Sequence, residues 1–219
     1  MRFRTFVIAS VSACLMSLAP SAMAGLILDP TAVSTNMGTF SGNIDNVINQ
    51  AGQNPTYTSG VTDFASYTAS ATATPATASD LWTSADGATT GNVDFTLGGS
   101  YEIDAFAIWA LISTNGDNIG DFTLLASNDP TFTTTTTLGR FTPTYSPGSP
   151  IPATVVTFTA TTASYVRLEI TSNNGGPDAG FNEAAFEFEA SAAPEPSSLL
   201  MMGIGIASVL GHRLRRRKL

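Results

Sequence analysis

The side chains able to do chemistry in this chain are mostly carboxylates and amides. The only cysteine is Cys14 and the only histidine is His212, and both lie near the ends of the chain. Residues 25–193 contain no cysteine, histidine or lysine. This composition excludes disulfides, thiol nucleophiles, Ser-His-Asp triads, histidine-ligated zinc and Schiff-base chemistry from that part of the chain. Catalysis there would need paired carboxylates, and no specific signature of such a pair is present.

Acidic residues dominate the same segment. The chain has 17 acidic and 9 basic residues, but seven of the basic residues lie in the terminal segments. Residues 25–193 keep Arg140 and Arg167 as their only bases, against 16 acids, which is a net charge of −14. Such a surface repels phosphates, so nucleic-acid binding is excluded. Cation binding, or solubility alone, fits this charge better.

The N-terminus has the organisation of a secretory signal peptide over residues 1–24. Two arginines precede an apolar run at 6–18, and Ala22-Met23-Ala24 is a small-x-small cleavage site. We expect signal peptidase to cut after Ala24. Val11-Ser12-Ala13-Cys14 offers a competing interpretation, in which the chain is cut as a lipoprotein and lipidated on its cysteine.

The last 26 residues, 194–219, combine a tripeptide, a short apolar run and a basic end. The residues that define this signal are Pro194, Glu195, Pro196, Arg215, Arg216 and Arg217. The apolar run, 198–211, has 14 residues, whereas a lone spanning helix needs about 20. The segment resembles the PEP-CTERM sorting tail of exported bacterial proteins. The resemblance implies membrane contact through an apolar helix, processing by an exosortase, and delivery to the cell surface or the extracellular space; an ordinary C-terminal anchor helix is the alternative.

From residue 93 onward, short apolar patterns are separated by turns. The alternation at 93–97 ends at Gly98-Gly99, which predicts a hairpin-like break. Residues 103–112 are nearly all apolar, as in a strand buried on both faces. Further strands are predicted at 155–159 and at 166–170. Strands at this spacing predict an all-β sandwich or barrel.

The segment 25–81 has a less regular pattern. Residues 44–48 fit either one helical turn or a strand. Residues 68–79 are Ala, Thr, Ser and Pro only. Because such side chains fill a core poorly, we expect a long exposed loop there.

Three large side chains have contexts that predict structural roles. Trp109 lies in a continuous apolar run and Trp82 follows Leu81 at a matching core position, so we expect both to pack in the core rather than to stack on sugars. Arg167 lies within a predicted strand. We expect it to pair with a neighbouring acid such as Glu169 or Glu187 rather than to bind a ligand.

Six short motifs follow one another between residues 81 and 189. They are Leu81-Trp82-Thr83-Ser84, Asn92-Val93-Asp94-Phe95-Thr96-Leu97-Gly98, the run 103–109, the run 122–129, Ser164-Tyr165-Val166-Arg167-Leu168-Glu169-Ile170 and Asn182-Glu183-Ala184-Ala185-Phe186. In this order they resemble the strands of the discoidin family, also called the coagulation-factor type C domain. The resemblance implies a galactose-binding-like jelly-roll β-sandwich over 25–193, best supported over 81–189.

The discoidin resemblance implies a binding module rather than a catalyst. Members of that family bind glycans, phospholipid headgroups or proteins through loops at one end of the sandwich, and many hold a structural calcium. Glu183 takes the place of the family's calcium-binding carboxylate at the start of the closing strand, and Asp63 is a candidate second ligand. The loop residues expected to face a ligand are Asn115, Asp117, Asn118, Asn173, Asn174, Asp178 and Asn182.

Together these observations predict an exported, exosortase-processed surface or matrix protein with a non-catalytic β-sandwich that contacts polysaccharide. Two alternatives stay open. The first is a purely structural surface protein without a ligand. The second is a carboxylate-based glycan hydrolase.

Overall fold

The computed structural model describes residues 25–74, 79–111, 116–143, 145 and 150–189. Strands are the dominant element, and one α-helix occurs among these residues. The strands are β1 (Leu26–Leu28), β2 (Ala32–Thr35), β3 (Ser41–Gly42), β4 (Gln53–Asn54), β5 (Thr72–Ala73), β6 (Trp82–Thr83), β7 (Gly91–Trp109), β8 (Phe122–Ser127), β9 (Thr136–Phe141), β10 (Ile151–Ile170), β11 (Gly180–Phe181) and β12 (Glu183–Phe188). The helices are α1 (Phe64–Ser70) and a 3₁₀ helix (Ile44–Ile48). The signal peptide and the sorting segment lie outside the described residues.

Among the described residues, nine strands belong to one sheet, whereas β3, β6 and β11 pair separately. The nine-stranded sheet folds into two layers because β7 and β10 are long enough to run through both. The two strands have 19 and 20 residues and pair antiparallel along most of their length. In one layer, the first half of β7 pairs with β2, and the second half of β10 pairs with β8, which pairs with β9. In the other layer, the second half of β7 pairs with β12, which pairs with β1. There the start of β10 pairs with β5, and β5 pairs with β4.

Aromatic side chains join the two layers across the core. Phe95, from the first half of β7, lies 6.2 Å from Phe106 in the second half and 5.5 Å from Phe186 on β12, measured between ring centroids. All three side chains are fully buried. Burial of apolar area at roughly 25 cal/mol per Å² makes these rings a main source of stability. The predicted all-β sandwich is confirmed.

A second apolar cluster lies on the other face of the β12–β7 layer, under α1. It includes Ile27, Phe64, Tyr67 and Trp109. The Nε1 of Trp109 donates to the carbonyl of Ala71 at 3.2 Å. This bond satisfies the one polar group of a fully buried indole.

The predicted core position of Trp82 is also observed. The side chain is fully buried, and its Nε1 donates to Gly38 O and Thr39 Oγ1, each at 3.1 Å. Residues 44–48 adopt the helical alternative. Their 3₁₀ helix begins after Asn43, whose side chain accepts a hydrogen bond from the backbone N–H of Asp45.

The predicted break at Gly98-Gly99 is wrong, because β7 continues through both glycines. The register with β10 shifts between Ala163 and Tyr165, which face Tyr101 and Thr96. Extra residues on one strand bend it without ending the pairing. For the same reason the strands predicted at 155–159 and 166–170 are two parts of one strand, with a second shift between Thr157 and Thr161.

The prediction of a long exposed loop at 68–79 is also wrong for most of the residues that the structure describes there. The segment begins as the end of α1 and continues into β5. Ala71 and Ala73 are only 1% exposed and pack in the cluster under α1. Small side chains suit a position where a helix end and a strand approach a tryptophan closely. Residues 75–78 lie outside the described part.

Arg167 does not pair with Glu169 or Glu187. Its guanidinium forms an ion pair with Asp94, which lies directly across from it on β7. Opposite charges facing each other across neighbouring strands are the sheet counterpart of helix i,i+4 pairs.

Candidate functional site

Two loops at one end of the sandwich are joined into one unit, here called the loop pair (116–120 and 171–182). Asn118 forms a β-bridge with Gly180, and Ile119 forms one with Asn173. The N–H of Gly180 donates to Asp117 O at 2.7 Å. A side chain at Gly116 would collide with the backbone of Asn174, so the close approach of the loops requires glycine there. The sequence did not predict this contact, because the two loops are far apart along the chain.

Most of the predicted asparagines use their amides to hold the loop pair together. The Oδ1 of Asn118 accepts from the N–H of Leu111 at 2.7 Å. The Nδ2 of Asn173 donates to the carbonyls of Gly176 and Asp178. The Nδ2 of Asn182 donates to the carbonyl of Ala110 at 2.6 Å. These amides replace backbone pairing in the turns, as Asn side chains commonly do.

The structure brings Asp117 and Asp178 together, although they are far apart in sequence. Asp178 is 4% exposed, and its Oδ1 has no hydrogen-bond partner among the described residues. Burial first, and then the hydrogen bond and charge of Asp117, raise the pKa of Asp178. The ionised form of Asp178 is therefore disfavoured unless a cation lies nearby, because the negative charge of Asp117 repels it.

The remaining loop residues differ in exposure. Asn174 is exposed, whereas Asp117 and Asn118 are half-buried. Asn182 is 1% exposed, and no donor contacts its Oδ1 among the described residues. Asn115 lies outside the described residues. The groups of the loop pair that can reach a ligand from solvent are therefore those of Asn174, Asp117 and Asn118.

Glu183 lies beneath this end of the sandwich and is fully buried. Its Oε2 accepts from the backbone N–H of Gln50 at 2.8 Å. Its Oε1 has no hydrogen-bond partner among the described residues. Burial, reinforced by the nearby charge of Asp29, raises the pKa of Glu183 well above its ordinary value. The buried carboxyl group therefore requires a proton or a cation.

Asp63, the candidate second calcium ligand, lies at the N-terminus of α1. Its Oδ1 accepts from the N–H of Ser66 at 2.7 Å, so the side chain caps the N-terminus of α1. The hydrogen bonds from Ser66 lower the pKa of Asp63. The negative charge of Asp63 contributes to the raised pKa of Glu187, on β12.

Sequence reasoning missed a set of polar groups around Glu183. The hydroxyl of Tyr57 donates to Asp29 Oδ1 at 3.0 Å, and the N–H of Tyr57 donates to Gln50 Oε1 at 2.8 Å. Burial, followed by the charges of Glu183 and Asp29, raises the pKa of Tyr57. No spacing in the sequence marks these residues, because the contact that brings Gln50 to Glu183 joins segments 133 positions apart.

The oxygen atoms near Glu183 are of the kinds that bind calcium, with Glu183 as one ligand. Ca²⁺ is bound by six to eight oxygens from carboxylates, amides and backbone carbonyls. Among the described residues, the Oε1 of Glu183 lacks a donor, and so does the buried Oε1 of Gln53, which begins β4 three residues after Gln50. Within the described ranges, no three His, Cys, Asp or Glu residues are grouped so as to hold a metal. A calcium ion here would rely on amide and backbone oxygens in addition to Glu183.

A family model decides the identity of the domain. The F5/8 type C domain model matches residues 55–183, which is more than half of the chain. The chain belongs to the F5/8 type C domain family. The discoidin-like resemblance of the six sequence motifs is thereby confirmed. The F5/8 type C match begins after β4, so β1 to β4 complete the sandwich from outside the matched region.

Solved structures with the F5/8 type C fold agree with this assignment. CpGH89CBM32-5 from Clostridium perfringens, solved in complex with GalNAc-β-1,3-galactose, has a TM-score of 0.52 at 15% identity, covering 74% of this chain and 99% of that one. The CBM32-1 and CBM32-2 domains of ZmpB from Clostridium perfringens, in complex with GalNAc, have a TM-score of 0.52 at 14% identity, covering 74% of this chain and 35% of that one. Among curated proteins, none matches the chain.

A second family model matches the end of the chain. The PEP-CTERM protein-sorting motif matches residues 192–218, which confirms the sorting-tail resemblance. This motif implies export to the cell envelope or surface. Among the described residues, no helix combines the length and hydropathy that a membrane span requires.

Proposed function

We propose that this F5/8 type C domain protein is a non-catalytic carbohydrate-binding protein of the cell surface or the extracellular matrix. The observation that carries the proposal is the loop pair, which presents Asp117, Asn118 and Asn174 at one end of the sandwich. Carboxyl and amide groups suit the hydroxyls of a sugar. Two relatives in fold were solved with GalNAc or a GalNAc-containing disaccharide, and the sorting motif supports a location where polysaccharide is present.

The charge of the domain favours a neutral polysaccharide over an anionic one. The only two basic residues between positions 25 and 193 are Arg140 and Arg167. Each is engaged by an acid, Asp121 and Asp94 respectively. A ligand rich in uronic acids or sulfates would meet uncompensated negative charge. We therefore infer that the ligand is a neutral exopolysaccharide or its GalNAc- or galactose-containing parts.

A glycan array probed with the exported protein tests this function. We expect binding to neutral glycans, and a loss of at least tenfold in affinity in N174A and D117N. The matched control is N128A, because Asn128 lies in the exposed β8–β9 turn, away from the loop pair. Its side chain accepts from Ser164 Oγ and donates to Thr162 O. Absence of binding, with and without calcium, would instead support a structural surface protein. Release of reducing sugar from polysaccharide would support a hydrolase.

The same proposal includes a structural calcium held by Glu183. Bound calcium stabilises the native state by mass action. We expect EDTA to lower the melting temperature of the exported protein and added Ca²⁺, but not Mg²⁺, to restore it. In E183Q the chelator should have no effect. An unchanged transition in the native sequence would remove calcium from the proposal while leaving the glycan test intact.

Processing completes the proposed function. We infer that signal peptidase removes residues 1–24 and that an exosortase acts at Pro194-Glu195-Pro196. Substitution of the tripeptide by alanines should leave an unprocessed, membrane-associated chain, which immunoblotting of cell fractions would detect. Surface display of the substituted chain at the native level would contradict this assignment.

A further inference from the structure

The first described residue, Gly25, lies directly against the carboxyl group of Glu187. β1 pairs with β12 in a register that places Ile27 opposite Glu187, and the Gly25 carbonyl accepts from the N–H of Phe64 at 2.9 Å. A Cβ built on Gly25 would overlap the Glu187 carboxyl group. The backbone nitrogen of Gly25 is bonded to the same Cα, so standard geometry puts it within about 4.5 Å of the Glu187 Oε1.

The charged groups that act on Glu187 are all acidic, whereas β1 and the nearby Val155 and Thr157 of β10 bring no charge to it. Asp63 caps α1, Asp104 belongs to β7, and Glu189 follows β12. Burial first, and then the charges of Asp104, Asp63 and Glu189, raise the pKa of Glu187. The pKa of Asp104 is raised in the same way, first by burial, then by the charge of Glu189 and, to a smaller extent, by the charge of Glu102.

No side chain among the described residues supplies a positive charge to this group of acids. The bases present there are Arg140 and Arg167, and these pair with Asp121 and Asp94. The cluster of carboxyl groups around Gly25 therefore repels itself as long as residue 25 carries a neutral peptide N–H.

We propose that the α-ammonium group of Gly25, released when the signal peptide is removed, forms an ion pair with Glu187 and fastens β1 to the edge of the sandwich. Hydrolysis adds water across the Ala24–Gly25 peptide bond. Ala24 leaves with the new carboxylate, and Gly25 keeps the nitrogen as an amine, which takes up the proton. Export thus supplies the charge that this edge lacks, and the processed domain is more stable than its precursor. The proposal rests on cleavage after Ala24.

The amino-acid composition allows the α-amino group to be modified selectively. Lys218 is the only lysine in the chain, so in a K218R variant the α-amine is the only primary amine. Acetylation removes its charge, whereas reductive methylation keeps the charge. The exported, signal-cleaved chain carrying K218R is first sequenced from its N-terminus. Thermal unfolding is then measured for three chains: K218R alone, K218R with E187Q, and K218R with E169Q. Each chain is measured untreated, after acetylation and after reductive methylation. Glu169 is an exposed strand residue and serves as the matched control.

We expect Gly25 at the N-terminus and a fall in melting temperature of about 2–4 °C on acetylation, the size expected for a partly buried ion pair in a domain of this length. Methylation should have little effect. The acetylation effect should disappear in E187Q, persist in E169Q and shrink in 1 M salt. A different first residue, or equal acetylation effects in the E187Q and E169Q chains, overturns the proposal.

Discussion

Arg167 on β10 and Asp94 on β7 form a two-pronged ion pair, with Nε–Oδ1 and Nη2–Oδ2 distances of 2.7 Å each. The guanidinium also lies over the ring of Phe132, 4.2 Å from its centroid. The two charged side chains are 25% and 27% exposed, so water screens them less than it would a surface pair. This geometry requires a planar fork, which lysine lacks.

We therefore expect R167K and D94N each to lower the free energy of unfolding by about 1–2 kcal/mol, with a coupling of about 1 kcal/mol in a double-mutant cycle. Urea unfolding provides the measurement. The control is R140K, because Arg140 is 67% exposed and lies 3.4 Å from Asp121. That substitution should change stability by less than about 0.5 kcal/mol. A coupling near zero between Arg167 and Asp94 would contradict the prediction.

Phe106 occupies the centre of the aromatic contacts between the two layers. Its ring contacts Phe95, Phe122 and Phe186, and it is fully buried. We expect F106A to lower the free energy of unfolding by about 3–5 kcal/mol, because it removes apolar contacts and leaves a cavity. F40A is the matched control, since Phe40 is 71% exposed, and it should cost less than about 0.5 kcal/mol. Similar effects at both positions would show that the layers do not pack as described.

The buried Glu183 carboxyl group should make stability depend on pH in chelator. Burial raises its pKa in the folded state, so the unfolded chain loses its proton first as pH rises. The free energy of unfolding therefore falls as the pH rises from the pKa of Glu183 in the unfolded chain to its pKa in the folded state. The slope from this group is at most about 1.4 kcal/mol per pH unit.

The expected result is that E183Q gains stability relative to the native sequence between pH 4 and pH 7 when EDTA is present. Denaturant unfolding at a series of pH values measures this difference. With calcium bound, the order should reverse at pH 7, because the carboxylate is then a ligand. A pH-independent difference in EDTA would mean that Glu183 is not the titrating group.

The contact between Asp117 and Asp178 predicts a stabilising substitution. D178N removes one of two interacting charges and still allows an amide to donate to Asp117. We expect it to raise the free energy of unfolding at pH 7 by up to about 1 kcal/mol, with the gain vanishing below about pH 4 as Asp178 takes up a proton in the native sequence.

D121N is the control, and we expect it to lower the free energy of unfolding at pH 7 rather than raise it. Hydrogen bonds from Thr142 and the charge of Arg140 lower the pKa of Asp121. Its carboxylate therefore stabilises the fold at neutral pH and loses that effect as pH falls through its folded pKa. Equal signs for D178N and D121N at pH 7 in thermal unfolding would contradict the proposed environment of Asp178.

Local patterns in the sequence were sufficient for the fold class, the burial of Trp82 and Trp109, and the sorting tail. Each depends on residue type and on neighbours a few positions away. Alternation of apolar residues in 93–97 reports which side chains of a strand face the core, wherever its partner lies. The absence of cysteine, histidine and lysine from 25–193 excludes reaction classes whatever the fold.

Contacts between distant segments were decided only by the tertiary structure. Arg167 pairs with Asp94 because the register of β10 against β7 places the two directly opposite each other, whereas Glu169 is on the same strand as Arg167 and Glu187 is on β12. One residue of shift would change every cross-strand partner. Asp117 meets Asp178 because two loops distant in sequence close on each other through backbone bonds, asparagine amides and the close approach at Gly116. The partners of a side chain across a sheet depend on bulges and loop closure, which arise from the packing of the whole chain and leave no periodic trace in the sequence.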